Sequence, residues 1–345
     1  MTGYRISALC LALALPALAA SAPVAKPQPA TLRMPDMPLH DPWIVADRAT
    51  RTYHLYTRNE PAMSGDPRIG IMAYTSNDLS DWSRPRIVAV MPTTGWANDG
   101  AWAPEVHRWH GRWYLFATYH NESAALKVQG VRKLHRRGTT LAVADRLVGP
   151  FVPVRNAEPV VDRETMTLDG TLYIDPAKRP WMVYAHEWVQ TGDGTIEAVP
   201  LDDRLAASGP PRVLFHASAA PWSDGKPQAE GDVIRVTDGP ELFRTRTGRL
   251  LMLWSSYDRT GYVQGLARSR SGTLAGPWEQ LDPLVRRDSG HGMLFRRFDG
   301  TLMMVLHRPF QNARGKLYVM RDTGDRVAIV REATDLDGET DPTHP

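Results

Sequence analysis

Five similar segments recur along the chain, and this repetition constrains the fold more strongly than any other feature of the sequence. Each segment has a Pro or Gly at its second position, a short strand-like run, a short turn, and a second run rich in aromatic and aliphatic residues. These are the signals of β-hairpins. The segments are DPWIVADRATRTYHLYTR from Asp41, APEVHRWHGRWYLFATYH from Ala103, DGTLYIDPAKRPWMVYAHE from Asp169, DGPELFRTRTGRLLMLWSS from Asp238 and HGMLFRRFDGTLMMVLHRP from His291.

Further runs with strand character lie between these hairpins, and no long amphipathic helix separates them. The runs are IGIMAYTS from Ile69, TTLAVAD from Thr139, TIEAVPL from Thr195, YVQGLARS from Tyr262 and KLYVMRD from Lys316. Each repeat of about 50 to 70 residues therefore holds several short strands and cannot bury both of its faces alone. We predict an all-β fold, a five-bladed β-propeller with antiparallel three- to four-stranded blades. A β-sandwich is the alternative, because short strands joined by turns also suit it.

The composition suits one large globular unit. The chain has 345 residues, of which 42% are hydrophobic and 23% charged, and β-propellers of this length form single domains. A net charge of +3 is far from the concentrated basic surface of a dedicated nucleic-acid-binding protein, so we expect no nucleic-acid partner. We predict that residues 39–331 form the propeller and that residues 332–345, which are polar and acidic, form a frayed tail.

Residues 1–19 have the pattern of a secretory signal peptide. Arg5 precedes an apolar run that ends in the small-x-small pattern of a cleavage site. The run is short for a membrane span, so we expect a periplasmic or secreted protein with no membrane span after cleavage; a retained anchor is the alternative. Cleavage would remove Cys10, the only cysteine, so disulfides would not stabilise the mature protein. Residues 20–38, rich in Pro and Ala, are predicted to be a linker.

The segment KVQGVRKLHRR from Lys127 is strongly basic, with five Lys or Arg. We interpret it as a solvated loop between strands of the second blade, which would leave its guanidinium groups in water. A contact to an acidic substrate or an anionic surface is the alternative.

The position that opens each repeat carries the chemistry. In a propeller the first strand of each blade lines the central channel, so the opening positions converge around one mouth of it. Taken singly, an Asp before Pro or Gly is typical of a turn. Three carboxylates in one cleft, however, raise one another's pKa values, so that one stays protonated while another ionises. Cleavage of a glycosidic bond uses such a pair. The opening positions are Asp41, Ala103, Asp169, Asp238 and His291.

The motifs around these positions are HDPWIV, WAPEVH, LDGTLYID, TDGPELF and SGHGMLF. In order and spacing they resemble the blade-opening motifs of glycoside hydrolase family 43, over about residues 38–330. The resemblance implies a five-bladed propeller with a carbohydrate substrate and an inverting mechanism that needs no cofactor for its chemistry. The family includes β-xylosidases, α-L-arabinofuranosidases and endo-arabinanases.

The resemblance also implies roles for three positions. Asp41 matches the family's general base, which activates a water on the face of the sugar opposite the leaving group. Asp169 matches the carboxylate that orients the acid and tunes its pKa. His291, which is also a candidate for substrate binding, matches a histidine near the propeller axis that many members associate through water with a bound calcium or other ion. A hydrogen-bonded structural histidine is the alternative for His291.

The proton donor is where the sequence departs from the family pattern. The family usually has Glu-Gly-Pro, whereas this chain has Asp238 before Gly-Pro, and aspartate is one methylene shorter. Glu241 follows three residues later and Glu230 lies upstream, so all three are candidates. Position in the motif favours Asp238, with Glu241 second. Glu105 in WAPEV is interpreted as structural or as a neighbour of the site.

Tryptophans provide surfaces on which a sugar ring stacks its C–H groups. Trp43 and Trp102 flank opening positions and are the candidates for substrate binding. Most of the eleven tryptophans are expected to pack within the blades.

We therefore expect an exported inverting glycosidase that acts on arabinose- or xylose-containing oligosaccharides or polysaccharides, with exo action favoured. One alternative is another five-bladed propeller glycosidase, acting on fructosides or agaro-oligosaccharides. A second is a carbohydrate-binding propeller without activity, a loss that the exchange of Glu for Asp would explain. The sugar, the linkage and the oligomeric state stay open.

Overall fold

The computed structural model describes residues 31–127, 130, 133–227 and 233–338. They form a five-bladed β-propeller in which every blade is a four-stranded antiparallel sheet with its strands in sequence order. The predicted fold class is confirmed, and the β-sandwich alternative is wrong. The predicted signal peptide lies outside the described residues. Within the described part of the chain, no helix combines the length and the apolar character needed to span a membrane.

The strands of each blade follow one another along the chain. Blade 1 consists of β1 (Trp43–Asp47), β2 (Thr52–Arg58), β3 (Gly70–Ser76) and β4 (Arg86–Val90). Blade 2 consists of β5 (Gly100–Trp109), β6 (Arg112–Ala125), β7 (His135–Ala144) and β8 (Val152–Pro153). Blade 3 consists of β9 (Thr167–Ile174), β10 (Pro180–His186), β11 (Thr195–Pro200) and β12 (Arg212–His216).

A two-stranded ribbon of β13 (Lys226–Pro227) and β14 (Val233–Ile234) precedes the fourth blade. Blade 4 consists of β15 (Asp238–Arg244), β16 (Leu250–Asp258), β17 (Gly261–Ser269) and β18 (Trp278–Val285). Blade 5 consists of β19 (Gly290–Arg296), β20 (Leu302–Arg308), β21 (Arg314–Asp322) and β22 (Val327–Glu332). The α-helices of the described residues are single turns, α1 (Pro61–Ser64), α2 (Trp188–Thr191) and α3 (Thr334–Asp337). The runs predicted between the hairpins form the third strand of each blade, namely β3, β7, β11, β17 and β21.

The continuous apolar sequence of β16 shows why the blades stack. Leu250, Met252 and Trp254 pack into a cluster with blade 3, whereas Leu251 and Leu253 pack into a separate cluster with blade 5. Alternate side chains of one strand therefore enter two different interfaces, so neither face of the strand requires polar residues. All five are fully buried, and each such burial stabilises the fold by about 1.5–3 kcal/mol.

A bulge at the start of the first strand sets the geometry of the channel mouth. In blades 2 to 5, two residues of that strand stand opposite one residue of its partner. The first residue of each bulge has a positive φ, as does Asp41 in blade 1. The residues in blades 2 to 5 are Ala103, Asp169, Gly239 and His291. The opening position of blade 4 is therefore Gly239. The prediction that Asp238 is equivalent to the opening residues of the other blades is wrong by one residue.

The contact between Gly239 and His291 explains this difference. Gly239 has a φ of 49°, and a Cβ added there would lie 2.9 Å from the His291 ring. A side chain at the opening position of blade 4 would thus collide with the side chain at the opening position of blade 5. The carboxylate of blade 4 instead comes from the preceding residue, Asp238, at the start of β15.

Both ends of the described chain pack onto the propeller. Met34, Met37 and Leu39 are fully buried in a core cluster shared with blades 1, 2 and 5. Near the other end Asp337 is buried, and its Oδ2 accepts a hydrogen bond of 3.2 Å from the Leu317 amide. The predicted linker is therefore part of the folded unit from residue 31 onward, and the predicted frayed tail is packed as far as residue 338. Burial of apolar side chains explains why the last part of the predicted linker packs onto the propeller.

Candidate active site

One mouth of the channel opens into a pocket of about 720 Å³ with walls from all five blades. Each blade contributes side chains to this wall, including, from blades 1 to 5 in order, Asp41, Trp102, Asp169, Asp238 and Phe310. A pocket of this size is typical of a small-molecule site. The structure thus brings four residues predicted from the sequence to one cavity.

Asp41 is held in its ionised form by histidines. Its Oδ1 lies 3.0 Å from His40 Nδ1 and 3.1 Å from His291 Nδ1. Burial by itself would raise the pKa of Asp41, but the charges and hydrogen bonds of His291 and His40 hold it well below its usual range. The Asp41 amide donates to His307 Nδ1 at 3.2 Å, which requires His307 to be neutral there. The pocket therefore contains a carboxylate that stays ionised.

Asp169 and Asp238 form the opposite kind of site, a carboxyl pair that shares a proton. Burial raises the pKa of Asp169 to about 6. Burial and the neighbouring charge of Asp169 raise the pKa of Asp238 well above its usual range, and the hydrogen bond between them favours a proton on Asp238. The Tyr262 hydroxyl donates to Asp238 Oδ2 at 2.7 Å, and the Gly239 amide donates to Asp169 Oδ2 at 3.0 Å. At neutral pH the proton of the pair therefore lies on Asp238.

His291 connects the ionised carboxylate with this pair. Its Nδ1 lies 3.1 Å from Asp41 Oδ1 and 3.9 Å from Asp169 Oδ2. Burial lowers the pKa of His291, but the charge and hydrogen bond of Asp41, together with the charges of Asp238 and Glu105, raise it to about 9. The ring is therefore an imidazolium at neutral pH, and it supplies positive charge where calcium was expected. An imidazole and two carboxylates also differ from the six to eight oxygen ligands of Ca²⁺, so these residues do not fit directly coordinated calcium.

Three predicted site residues do not line the pocket, and one of them, His291, still contacts Asp41. Glu241 is buried, and its Oε2 accepts a hydrogen bond of 3.1 Å from the Leu294 amide. Trp43 donates from Nε1 to the Val106 carbonyl at 3.2 Å and packs between blades. The geometry therefore separates Glu241 and Trp43 from the cavity. Glu230 lies outside the described residues.

Trp102 lies in the pocket wall, where its indole packs against two neighbouring side chains. Its ring centroid is 4.2 Å from that of His120, and the guanidinium of Arg137 lies 4.6 Å from the indole. Arg137 belongs to the segment that was predicted to be a solvated loop, but β7 begins at His135 and Arg137 is only 7% exposed. That prediction is wrong for Arg137, because its guanidinium is paired with the buried carboxylate of Glu187.

The site contains residues that the sequence reasoning missed. Glu187 lines the pocket at the end of β10, as does His40 beside Asp41. Trp188, expected like most tryptophans to pack within the blades, also lines the pocket. Tyr262 reaches Asp238 from β17. His40 was adjacent to a predicted catalytic residue within the HDPWIV motif, and Glu187 directly follows the apolar strand PWMVYAH. An acidic residue at the end of a buried strand is the signal that could have indicated Glu187.

Apart from the carboxyl groups of the pocket, a further group of potential metal ligands lies beside Trp102. His120, Glu122 and His135 each offer one ligand atom, and these atoms lie within 4.8 Å of one another. Arg137, however, contacts His135 Nε2 at 2.7 Å. Burial lowers the pKa of His120 and of His135, and the positive charge of Arg137 lowers both further. A cation already in contact with one proposed ligand disfavours a second cation, so the group does not indicate a metal site.

Comparisons with known proteins agree with the propeller fold. The sequence model of Glycosyl hydrolases family 43 matches residues 36–329. An endo-arabinase structure from Bacteroides thetaiotaomicron VPI-5482 is 34% identical, with a TM-score of 0.74 over 85% of this chain and 98% of that chain. No curated protein matches the chain in sequence.

Two more distant structures show the same fold. An endo-1,4-β-xylanase from Bacteroides thetaiotaomicron VPI-5482 is 21% identical, with a TM-score of 0.67 over 85% of this chain and 94% of that chain. An α-L-arabinofuranosidase from Lactobacillus brevis is 17% identical, with a TM-score of 0.62 over 84% of this chain and 95% of that chain. At these identities the likeness concerns the propeller alone.

Proposed function

The chain belongs to glycoside hydrolase family 43 and is a glycoside hydrolase, and from this premise we propose that it is an exported enzyme acting on arabinose- or xylose-containing carbohydrates. The observation that carries the mechanism is one pocket holding both an ionised carboxylate, Asp41, and a carboxyl that keeps its proton, Asp238. Hydrolysis with inversion requires these two states at the same time.

Asp41 serves as the general base in this proposal. His40 and His291 stabilise its ionised form by charge and by hydrogen bonds to Oδ1. The carboxylate accepts a proton from a water molecule as that water attacks the anomeric carbon opposite the leaving group. Once Asp41 has accepted the proton, the neighbouring imidazolium has lost its nearest carboxylate partner, which favours return of the proton to solvent.

The acid side of the reaction depends on the Asp169–Asp238 pair. Position in the motif assigns the proton donor to Asp238, and Asp169 tunes its pKa. Hydrolysis itself needs no cofactor in this family. Calcium near His291 stays a prediction, and the imidazolium provides the charge in the proposed mechanism.

Arabinose is the favoured sugar. The 34% identical structure is named an endo-arabinase, and this support is stronger than that of the xylanase at 21%. Trp102 provides the stacking surface for the sugar ring. Exo action remains the prediction from the sequence, whereas the name of the similar structure favours internal cleavage of a chain.

A screen of aryl α-L-arabinofuranosides, aryl β-D-xylosides, linear arabinan and xylan tests the substrate class. NMR of the first-formed sugar should show inverted anomeric configuration, and retention would contradict the mechanism. Asp41→Asn should abolish turnover, whereas Asp47→Asn, on the same blade but bonded to Thr50, is the matched control. Absence of hydrolysis of every substrate, with calorimetric binding of arabino-oligosaccharides, would support the alternative of a binding propeller. The aspartate in place of the family's glutamate favours that second candidate.

The export proposal has its own test. The basic residue and apolar run of residues 1–19 support secretion to the periplasm or medium. Mass spectrometry of the protein from the cell envelope and medium should show a chain that lacks these residues. A full-length chain confined to the cytoplasm would contradict export.

A further inference from the structure

Glu187 is one of two glutamates in the pocket wall and lies on blade 3, whereas the other, Glu60, follows β2 of blade 1 and pairs with Arg58. Glu187 directly follows β10 and lines the cavity together with Asp41, Asp169 and Asp238. It is only 6% exposed. Because these four carboxyl groups line one cavity, the charge of each affects the pKa of the others.

One oxygen of Glu187 is positioned and the other is unused. Oε1 accepts a hydrogen bond from Arg137, whose guanidinium also stacks on Trp102. Oε2 is buried and receives no hydrogen bond from any residue in the described part of the chain. A buried carboxyl oxygen without a hydrogen-bond partner is unusual, and its place in the pocket leaves it available to a group of the substrate.

Asp238 differs from Glu187 in both respects. Its Oδ2 accepts the Tyr262 hydroxyl, and its proton is shared with Asp169. It is also one methylene shorter than the glutamate of the family motif. The side chain at the expected acid position is therefore engaged by other protein groups, whereas Glu187 has the missing length and a free oxygen.

We propose that Glu187, positioned by Arg137, protonates the leaving-group oxygen, and that Asp238 and Asp169 act as the proton-sharing pair that keeps the pocket from ionising fully. This assignment rests on the proposed function and replaces Asp238 as the donor. In the step, the glycosidic C–O bond breaks and its electron pair takes the proton of Glu187 Oε2. Water forms the new bond to the anomeric carbon and gives its proton to Asp41, so the two carboxyl groups exchange states across one turnover.

The electrostatic surroundings agree with this role. Burial raises the pKa of Glu187, Arg137 opposes that rise, and the charge of Asp238 adds to it. His186 precedes it on β10 and also lowers the pKa, whereas His135 contacts the far side of Arg137. A protonated Asp238 is neutral, so loss of its proton at higher pH would further favour a proton on Glu187.

Leaving-group chemistry tests the proposal, because an acid matters for a poor leaving group and not for a good one. For the sugar that the wild type hydrolyses, kcat/KM is measured on the trisaccharide and on the 2,4-dinitrophenyl glycoside. Glu187→Gln keeps an oxygen for Arg137 and should lower kcat/KM on the trisaccharide by about 10²–10⁴-fold, with less than about a fivefold loss on the dinitrophenyl glycoside. The basic limb of its pH profile should disappear. Glu187→Asp should recover part of the trisaccharide activity.

Glu197→Gln is the matched control, a buried glutamate of the same blade whose oxygens are occupied by Tyr184, His186 and Thr195. It should lower the melting temperature without a leaving-group effect. Equal losses on both substrates for Glu187→Gln, or no loss, would overturn the proposal. A leaving-group effect for Asp238→Asn in place of Glu187→Gln would assign the acid to Asp238. Loss of the proposed function itself would look different, since the wild type would then hydrolyse neither substrate.

Discussion

Replacement of Asp41 by asparagine removes the proposed base and also the charge that keeps His291 protonated. Asparagine preserves the shape of the side chain but takes up no proton, so we expect kcat to fall about 10²–10⁴-fold. The effect on KM should be small, because Trp102 and the remaining wall of the pocket are unchanged. The measurement is steady-state hydrolysis of the best aryl glycoside by the variant, with Asp47→Asn as the control.

The same substitution has an effect on stability that depends on pH. The pKa of His291 is about 9 in the folded protein, against an ordinary value of 6.5. The interactions that raise the pKa of His291 stabilise the folded state fully below pH 6.5, and this stabilisation is lost as the pH rises through 9. At pH 7 the shift corresponds to about 2.5 kcal/mol. Asp169 lies 3.9 Å from the same His291 nitrogen, so its carboxylate would keep part of this stabilisation in the variant. We therefore expect Asp41→Asn to lower the free energy of unfolding at pH 7 by about 1–2.5 kcal/mol.

Denaturant unfolding of the wild type and of Asp41→Asn between pH 6 and pH 10 measures this effect. The difference in unfolding free energy should be greatest at pH 7 or below and should narrow toward pH 10, where wild-type His291 is neutral. A constant difference across this range would refute the coupling of Asp41 to His291. Normal turnover by a folded Asp41→Asn variant would refute its assignment as the base.

Three further predictions follow from single contacts. Trp102→Ala should raise KM about tenfold with little change in kcat, as expected for lost sugar stacking. Trp43→Ala should instead lower the free energy of unfolding by about 3–5 kcal/mol, because Trp43 is buried in the core. A kinetic effect of Trp43→Ala and a stability effect of Trp102→Ala would contradict the site. Gly239→Ala should reduce both stability and kcat, because its Cβ would meet the His291 ring at 2.9 Å; unchanged kinetics would show that His291 tolerates displacement. Dialysis against EDTA should leave kcat/KM unchanged, and a loss that Ca²⁺ restores would show that calcium is required.

The repeat pattern predicted much of the fold because each blade is built from the same short-range elements and packs in the same way. Hairpins, third strands and the mouth of the channel all follow from short-range signals that recur five times. The shift from Asp238 to Gly239 was missed because both residues precede a small or Pro residue, and the two alignments differ by a single position. Only the clash of a Cβ with His291, which lies on the next blade, distinguishes them.

The sequence by itself determined that the chain is a propeller and that Asp41, Asp169 and Asp238 belong near one channel mouth, since period and order are properties of the linear chain. The tertiary structure decided which of these carboxyl groups is charged, because that depends on burial and on His40, His291 and Tyr262, which come from other strands or from the pocket wall. It also separated Glu241 from the cavity and introduced Glu187 with its Arg137 partner from another blade. Distances between blades are set by packing across the whole ring, and no local pattern in the chain encodes them.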